Sequence, residues 1–204
     1  SGLKYSDIYY QGKSFLELWK NLKPKMSDFP EHCHLDPDIR PNLRELDEWQ
    51  PAFGQCEKAQ CHLANCGVQE GDLFIFFGSF RRTEEYKGSI RYIQDARPMH
   101  VIYGYLQIGK ILKDYSMINK YYWHPHASEI RRSDPTNTLY LAAERLSLCD
   151  NTPGFGVFTY NDKRRLTAAE NNKTATWKYH DWYSPDMIYE NRKNSSKTPG
   201  RLFY

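Results

Sequence analysis

The chain has 204 residues, a formal net charge of +3 and 40% apolar residues. This length suffices for one well-buried core, and no linker, low-complexity tract or fixed-period repeat interrupts it. We therefore expect a single domain over residues 1–204. The small net charge is not typical of proteins that hold duplex DNA mainly through phosphate contacts. No apolar run approaches the ~20 residues of a membrane-spanning helix, so we expect no membrane partner.

The cysteine content favours a reducing compartment. Five cysteines are an odd number, and the opening residues SGLKYSDIYY do not resemble a signal peptide. We therefore expect reduced thiols and a cytoplasmic location.

Two helices are predicted in the first third of the chain. In residues 14–23 the apolar side chains recur at helical spacing, Ser14 and Glu17 fit a capping box, and Pro24 ends the pattern. Residues 55–66 form a second candidate, which ends near Gly67. Between them, residues 26–51 are rich in proline and polar side chains, which predicts a long ordered loop with a short helix at 42–49.

Strands dominate the remainder of the predicted structure. Residues 73–77 follow a Gly71-Asp72 turn as a continuous apolar run, and residues 100–112, 137–146 and 154–160 are rich in β-formers. Gly104 and Gly109 are expected to mark bends or bulges. Since long polar loops separate the strands, we predict an α+β fold: a small curved, mostly antiparallel sheet or partly closed barrel, with peripheral helices and long ordered loops.

The segment EHCHLDPDIR, residues 31–40, carries the densest set of reactive side chains. In it, His34, Asp36, Asp38 and Arg40 alternate with other residues, and prolines restrain the backbone. Imidazole and carboxylate groups can act as acid and base or bind a divalent metal, and Asp-Pro-Asp is also a favourable turn. We expect a pinned loop that lines a pocket, with His34 and Asp36 facing inward; metal and cofactor stay unassigned.

A second histidine pair lies in Trp123-His-Pro-His126. His124 and His126 either join His34 around one pocket or cap turns. His100, at the start of a strand, is expected to be structural.

The cysteines at 56, 61 and 66 do not predict a zinc site. Steps of five residues rotate successive side chains of a helix by ~140°, so three thiols cannot face one ion. His62, beside the middle cysteine, is of more interest as a ligand-binding residue near the Gly71-Asp72 turn.

Several long motifs resemble one of the nucleotide-modification-associated domain families, the third of that series. They are HLDPDIR, WQPAFGQCEKAQCHLANCGVQEGDLFIFFGSF, HVIYGYLQIGKI, WHPHASE, NTLYLAAERL, GFGVF, LTAAE, the stretch 177–185 and Gly200-Arg201. The resemblance covers most of the chain. It implies a bacterial or phage protein linked to DNA base modification or to the systems that police it, and it supplies no reaction.

EGDLFIFF followed by VIYGYLQIGKI also resembles PUA-type barrels, including the EVE and ASCH domains. That likeness implies a reader of unusual bases, which stack on aromatic rings while polar groups bind the base edge. A pocket of Phe77, Phe80, Tyr103 and Trp123, edged by His34, Asp36 and His124, is the resulting hypothesis. The complete set of predicted ligand-binding residues is Asp38, Arg40, Gln55, His62, Asp72, Phe80, Tyr103, Trp123 and His126.

Three functions stay open on the sequence. The first is a module that recognises a nucleotide or modified base, with a possible protein partner in a modification system. The second is an enzyme acting on a base or nucleotide, in which His34 or His124 is the general base and Asp36 or Asp38 orients it or holds a metal. The third is a structural adaptor with an exposed apolar patch.

Overall fold

The computed structural model describes residues 3–41, 43, 46–168 and 173–178. Within them lie helices α1 (Phe15–Leu22), α2 (Glu57–Asn65) and α3 (Tyr115–Ile118). The strands are β1 (Tyr9–Tyr10), β2 (Lys13–Ser14), β3 (Ala52–Gln55), β4 (Leu73–Phe80), β5 (Thr83–Tyr86), β6 (Ser89–Tyr92), β7 (Met99–Leu112), β8 (Thr138–Ala142) and β9 (Phe155–Val157). Three 3₁₀ turns complete the set: Pro125–Ala127, Glu129–Arg131 and Asp162–Arg164.

The main sheet has the strand order β3-β8-β7-β4, and β9 pairs with β7. The pairs β3–β8, β7–β8 and β7–β9 are antiparallel. The prediction of an α+β fold with a mostly antiparallel sheet and few helices is therefore confirmed. Among the described residues the strands form no closed barrel, so the partly closed, PUA-like barrel stays a prediction.

Helix α1 begins and ends where the sequence predicts. The Ser14 hydroxyl oxygen accepts a hydrogen bond from the backbone N–H of Glu17 at 3.2 Å, which satisfies one of the donors that a helix start leaves open. Helix α2 also lies inside its predicted range. In the predicted short helix at 42–49, residues 42, 44 and 45 lie outside the described residues, and the described ones form bends and turns.

The two glycines of β7 have different roles. At Gly109 the β7–β8 register shifts between Ile108 and Lys110, as expected of a bulge. At Gly104 the pairing with Val157 is regular, so the β7–β9 pairing has no bulge there. A Cβ at Gly104 would lie 2.5 Å from the Cδ1 atom of Ile39, so this glycine allows close packing instead.

The chain divides into two compact units. The first comprises residues 1–75, 85–91 and 104–157, and the second comprises 76–84, 92–103 and 158–204. Strands β4 and β7 contribute residues to both. The expectation of a single domain stays a prediction.

The first unit contains a core of aliphatic side chains from β3, β7, α3 and β8. Its buried members are Ala52, Leu112, Ile118, Leu139 and Leu141. Strand β3 lies along β8 in this unit, with Gly54 opposite Leu139 and Gln55 opposite Thr138. Burial of the core side chains makes β3 and β8 a rigid support for the loops that precede and follow these strands.

The second unit is organised around an aromatic contact in its described part. The Phe77 ring lies 5.2 Å from the His100 ring and 5.0 Å from the Trp177 ring, between ring centroids. The indole N–H of Trp177 donates to Nδ1 of His100 at 3.0 Å, so His100 has the structural role that the sequence predicts. Parts of LTAAE and of the stretch 177–185, and Gly200-Arg201, lie outside the described residues.

No helix in the described part of the chain is both long and apolar enough to cross a membrane.

Candidate functional site

The loop before β3 delivers Asp36 to the edge of the β3–β8 pair. Asp38 and Ala52 exchange backbone hydrogen bonds at 2.8 and 2.9 Å, which lays residues 36–38 alongside β3. The backbone N–H of Gly54 then donates to Oδ1 of Asp36 at 2.9 Å. The Asp36 side chain is only 8% exposed, so this charge-assisted hydrogen bond offsets part of its desolvation.

Three imidazoles surround the Asp36 carboxylate. His126 Nε2 lies 3.3 Å and His34 Nε2 3.8 Å from Oδ2, and His124 Nε2 lies 3.7 Å from Oδ1. We call these four residues the Asp36 cluster. His124, His126 and His34 therefore lie around one carboxylate, whereas their function and a shared pocket stay predictions.

The orientations within the cluster are set by local structure. His124 precedes the 3₁₀ turn Pro125–Ala127 and its Nδ1 accepts a hydrogen bond from the backbone N–H of His126 at 3.2 Å. His126 Nδ1 lies 2.6 Å from Oδ1 of Asn137, whose amide donates to the His126 carbonyl at 3.0 Å. His124 therefore caps a turn, which is one of the two predicted alternatives. That His124 and His126 line a pocket stays a prediction.

Burial separates the members of the cluster. The side chain of His34 is 63% exposed, whereas that of His124 is 0% exposed. The expectation that Asp36 and His34 both face a pocket stays a prediction: Asp36 is largely buried, and His34 lies at the surface. A cleft of about 310 Å³ lies beside it, lined by His32, Cys33, His34, Pro125, Ser128, Ile130 and Arg131.

The other polar residues predicted near this loop have structural surroundings. The Asp38 side chain is buried and its Oδ2 accepts from the indole N–H of Trp49 at 3.1 Å. Gln55 accepts from the backbone N–H of Cys56 at 3.2 Å, and Arg40 is exposed. Trp123, only 5% exposed, packs edge-on against two neighbouring tyrosine rings, which is typical of a core residue.

His62 and Asp72 lie on the surface of the first unit. Nε2 of His62, on α2, is 3.7 Å from the sulfur of Cys66, which follows the helix. Asp72 accepts from the backbone N–H of Gln69 at 2.9 Å and closes the predicted turn. None of the distances given above joins His62 or Asp72 to the Asp36 cluster, and their binding roles stay predictions.

Phe80 and Tyr103 line a cavity of the second unit. It has a volume of about 280 Å³, and its lining is Phe80, Arg81, Arg82, Thr83, Met99, Val101, Ile102, Tyr103, Phe158 and Tyr160. We call it the aromatic–arginine cavity. Phe80 and Tyr103 belong to the second unit and the histidines to the first. The single pocket that the sequence predicts stays a prediction.

Charged side chains at this cavity are held by named partners. Arg82 lies 3.8 Å from the carboxylate of Asp162, which accepts from the Tyr160 hydroxyl at 2.6 Å. A hydrogen bond with Tyr160 raises the pKa of Arg82 above its already high ordinary value. The Arg164 guanidinium lies 4.5 Å from the centre of the Phe158 ring. The sequence analysis did not predict Phe158 and Tyr160 as cavity residues, although both lie in the aromatic motif GVFTY, close to a basic run.

The comparison with protein families agrees with the motifs. The family model described as nucleotide modification associated domain 3 matches residues 1–201. The chain belongs to this family. Searches of curated proteins and of solved structures found no match. Membership in the family associates the chain with nucleotide modification and leaves its reaction and ligand to be argued from the two sites.

Proposed function

We propose that the chain recognises a nucleotide or a modified base within a bacterial or phage DNA-modification or defence system. The observation that carries this proposal is the aromatic–arginine cavity, in which rings and guanidinium groups line one space of about 280 Å³. A base needs a ring face on which to stack, and a phosphate needs a cation. The PUA-like motifs and the family support the same class of ligand.

The rings of the cavity are placed to accept a base. Phe80 is 43% exposed, and its ring lies 5.9 Å from the Tyr103 ring in an edge-to-face contact. Stacking contributes on the order of 1–3 kcal/mol per base and needs no strong net charge. The net charge of +3 is therefore compatible with recognition of a single nucleotide.

The arginines would bind the phosphate or the edge of the base. Arg82 is oriented by Asp162 and Tyr160 and keeps a solvent-exposed guanidinium. Arg81 lies 4.6 Å from the centre of the Tyr92 ring. Because both follow Phe80 directly in the chain, a nucleotide stacked on Phe80 would have cations within reach.

Binding is tested by calorimetric titration of nucleosides, nucleoside monophosphates and their base-modified forms. We expect one nucleotide class to bind at one site per chain. Phe80→Ala should weaken binding by roughly 5- to 150-fold, the equivalent of one stacking contact. Leu148→Ala, which also removes an exposed apolar side chain, is the control and should bind normally.

The phosphate contact is tested separately. Arg82→Gln should weaken binding of nucleoside monophosphates more than binding of nucleosides. Lys163→Gln removes the same charge from the same unit outside the cavity lining and should have no effect. Equal losses of affinity in these two variants would indicate only a general effect of charge and would count against the proposed contact.

A second candidate function is acid–base chemistry on a base or nucleotide, and the Asp36 cluster favours it. His34 is the exposed base candidate, and Asp36 is the carboxylate that orients it, 3.8 Å away. His124 and Asp38, the alternatives from the sequence, are buried, so His34 is the preferred candidate. Mass spectrometry of nucleotides incubated with the chain tests this function: a product that persists in His34→Gln would exclude His34 as the base.

A further inference from the structure

The two oxygens of the Asp36 carboxylate have different surroundings. Oδ1 accepts the backbone N–H of Gly54 at 2.9 Å and lies 3.7 Å from His124 Nε2. Oδ2 lies between two imidazole nitrogens, His126 Nε2 at 3.3 Å and His34 Nε2 at 3.8 Å. One oxygen is thus held by the backbone, and the other is presented to two potential metal ligands.

The hydrogen bonds of His126 define which of its nitrogens carries a proton. The Asn137 amide N–H donates to the His126 carbonyl, so Oδ1 of Asn137 must be the atom that faces the imidazole. Oδ1 can only accept, and His126 Nδ1 is therefore the donor. In the neutral ring, Nε2 then carries a lone pair, which points at a carboxylate oxygen 3.3 Å away.

Two lone pairs at this distance repel unless a cation lies between them. A proton on Nε2 would remove this repulsion, but only for His126. The second imidazole at the same oxygen favours a metal ion, because two histidines and one carboxylate are a common ligand set for first-row transition metals. The Asn137–His126 hydrogen bond is also the usual outer contact of a metal-bound histidine.

We propose that Asp36, His126 and His34 bind one divalent transition-metal ion, of which zinc is the probe. Two ligands ~2.0–2.1 Å from zinc at a tetrahedral angle lie roughly 3.3–3.4 Å apart, which matches the His126–Asp36 distance. His34 lies farther away and must turn toward Oδ2, which its exposed position in the cleft allows. His124 positions the carboxylate: with Nδ1 accepting, its neutral ring carries the proton on Nε2, toward Oδ1.

A competing cluster lies in the same unit, just after β3. Within the described residues, ligand atoms of Cys56, Glu57 and Asp134 already lie within 4.8 Å of one another. Arg131, however, is 3.9 Å from the Glu57 carboxylate and 4.0 Å from that of Asp134, so a cation already faces both. Burial also raises the pKa of the Cys56 thiol, which disfavours the metal-binding thiolate. This cluster therefore serves as the control.

The test is calorimetric titration of the chelator-treated chain with Zn²⁺, with Co²⁺ absorption as a second readout of the ligands. We expect one ion per chain. The variants His34→Gln and Asp36→Asn should each weaken Zn²⁺ binding by more than about tenfold. His34→Gln should fold normally, because it changes an exposed side chain. His32→Gln, at a neighbouring histidine of the same cleft, and Cys56→Ser should bind as the unaltered chain does.

Three results would overturn the site. They are no stoichiometric binding, binding unchanged by both His34→Gln and Asp36→Asn, or binding lost in Cys56→Ser. Nitrogen NMR of the metal-free and Zn²⁺-treated chain is the complementary readout. If both ring nitrogens of His126 stay protonated with Zn²⁺ present, a proton and not a metal ion lies between His126 and Asp36. Metal binding here is independent of nucleotide binding in the aromatic–arginine cavity, so either proposal can fail alone.

Discussion

At the scale of single residues, Gly54 decides whether the Asp36 cluster can form. Its backbone N–H binds Asp36, and the His126 ring packs where a side chain would otherwise stand. A Cβ at this position would lie 2.7 Å from His126 Nε2 and still closer to two ring carbons. The residue therefore combines a donor with the space that its missing side chain leaves.

We predict that Gly54→Ala destabilises the chain by about 1–3 kcal/mol, the usual cost of overpacking a buried site. Chemical denaturation measures the change in the free energy of unfolding. The matched control is the same substitution in a His126→Ala background, where the ring is gone and most of the cost should disappear. An equal cost in both backgrounds would show that the His126 ring is not the obstacle.

His100 in the second unit provides a test of burial by pH. Desolvation lowers the pKa of His100 below its ordinary value of 6.5, and the neutral ring accepts the Trp177 N–H. The unfolded chain therefore takes up this proton more readily than the folded chain. The stability from the neutral ring is present above pH 6.5 and is lost as the pH falls through the lower folded pKa.

Proton NMR should accordingly place the His100 titration midpoint below 6.5, and the free energy of unfolding should fall on acidification from that value. In His100→Gln, whose side-chain oxygen can still accept from Trp177, this part of the pH dependence should vanish. A midpoint at or above 6.5 would contradict the burial argument.

At the scale of elements, local signals in the sequence predicted α1, α2, β4, β7, β8 and β9, whereas the other five described strands were not predicted. Helix α1 carries its apolar spacing and its cap within ten residues, and β4 begins at a Gly-Asp turn. These features depend on neighbours along the chain. The described residues of the predicted short helix at 42–49 form no helix.

Ser14 and Ser128 allow the helix cap to be measured. The Ser14 side chain accepts a hydrogen bond at the start of α1, whereas Ser128 holds the same position before Glu129–Arg131 without a side-chain cap bond. Ser14→Ala should lower the free energy of unfolding by about 0.5–2 kcal/mol, and Ser128→Ala should change it much less. Denaturant titrations of both variants give the comparison, and similar losses would argue against the cap.

At the scale of the whole molecule, the sequence supplied the residues of the Asp36 cluster but not their arrangement. His34 and Asp36 are about 90 positions from His124 and His126. They meet because residues 36–38 lie along β3, β3 pairs with β8, and Asn137 at the entry to β8 holds His126. Such long-range pairing has no local signal in one sequence.

The most direct test of nucleotide recognition is NMR mapping of amide shifts while the best-binding nucleotide is titrated into the chain. We predict that the changes centre on residues 80–83, 99–103 and 158–160, which contain the lining of the aromatic–arginine cavity, and that Phe80→Ala reduces them at the same nucleotide concentration. Shifts centred on His34, Asp36 and His126 instead would move recognition to the histidine cluster. The absence of any saturable shift would contradict nucleotide recognition by this chain.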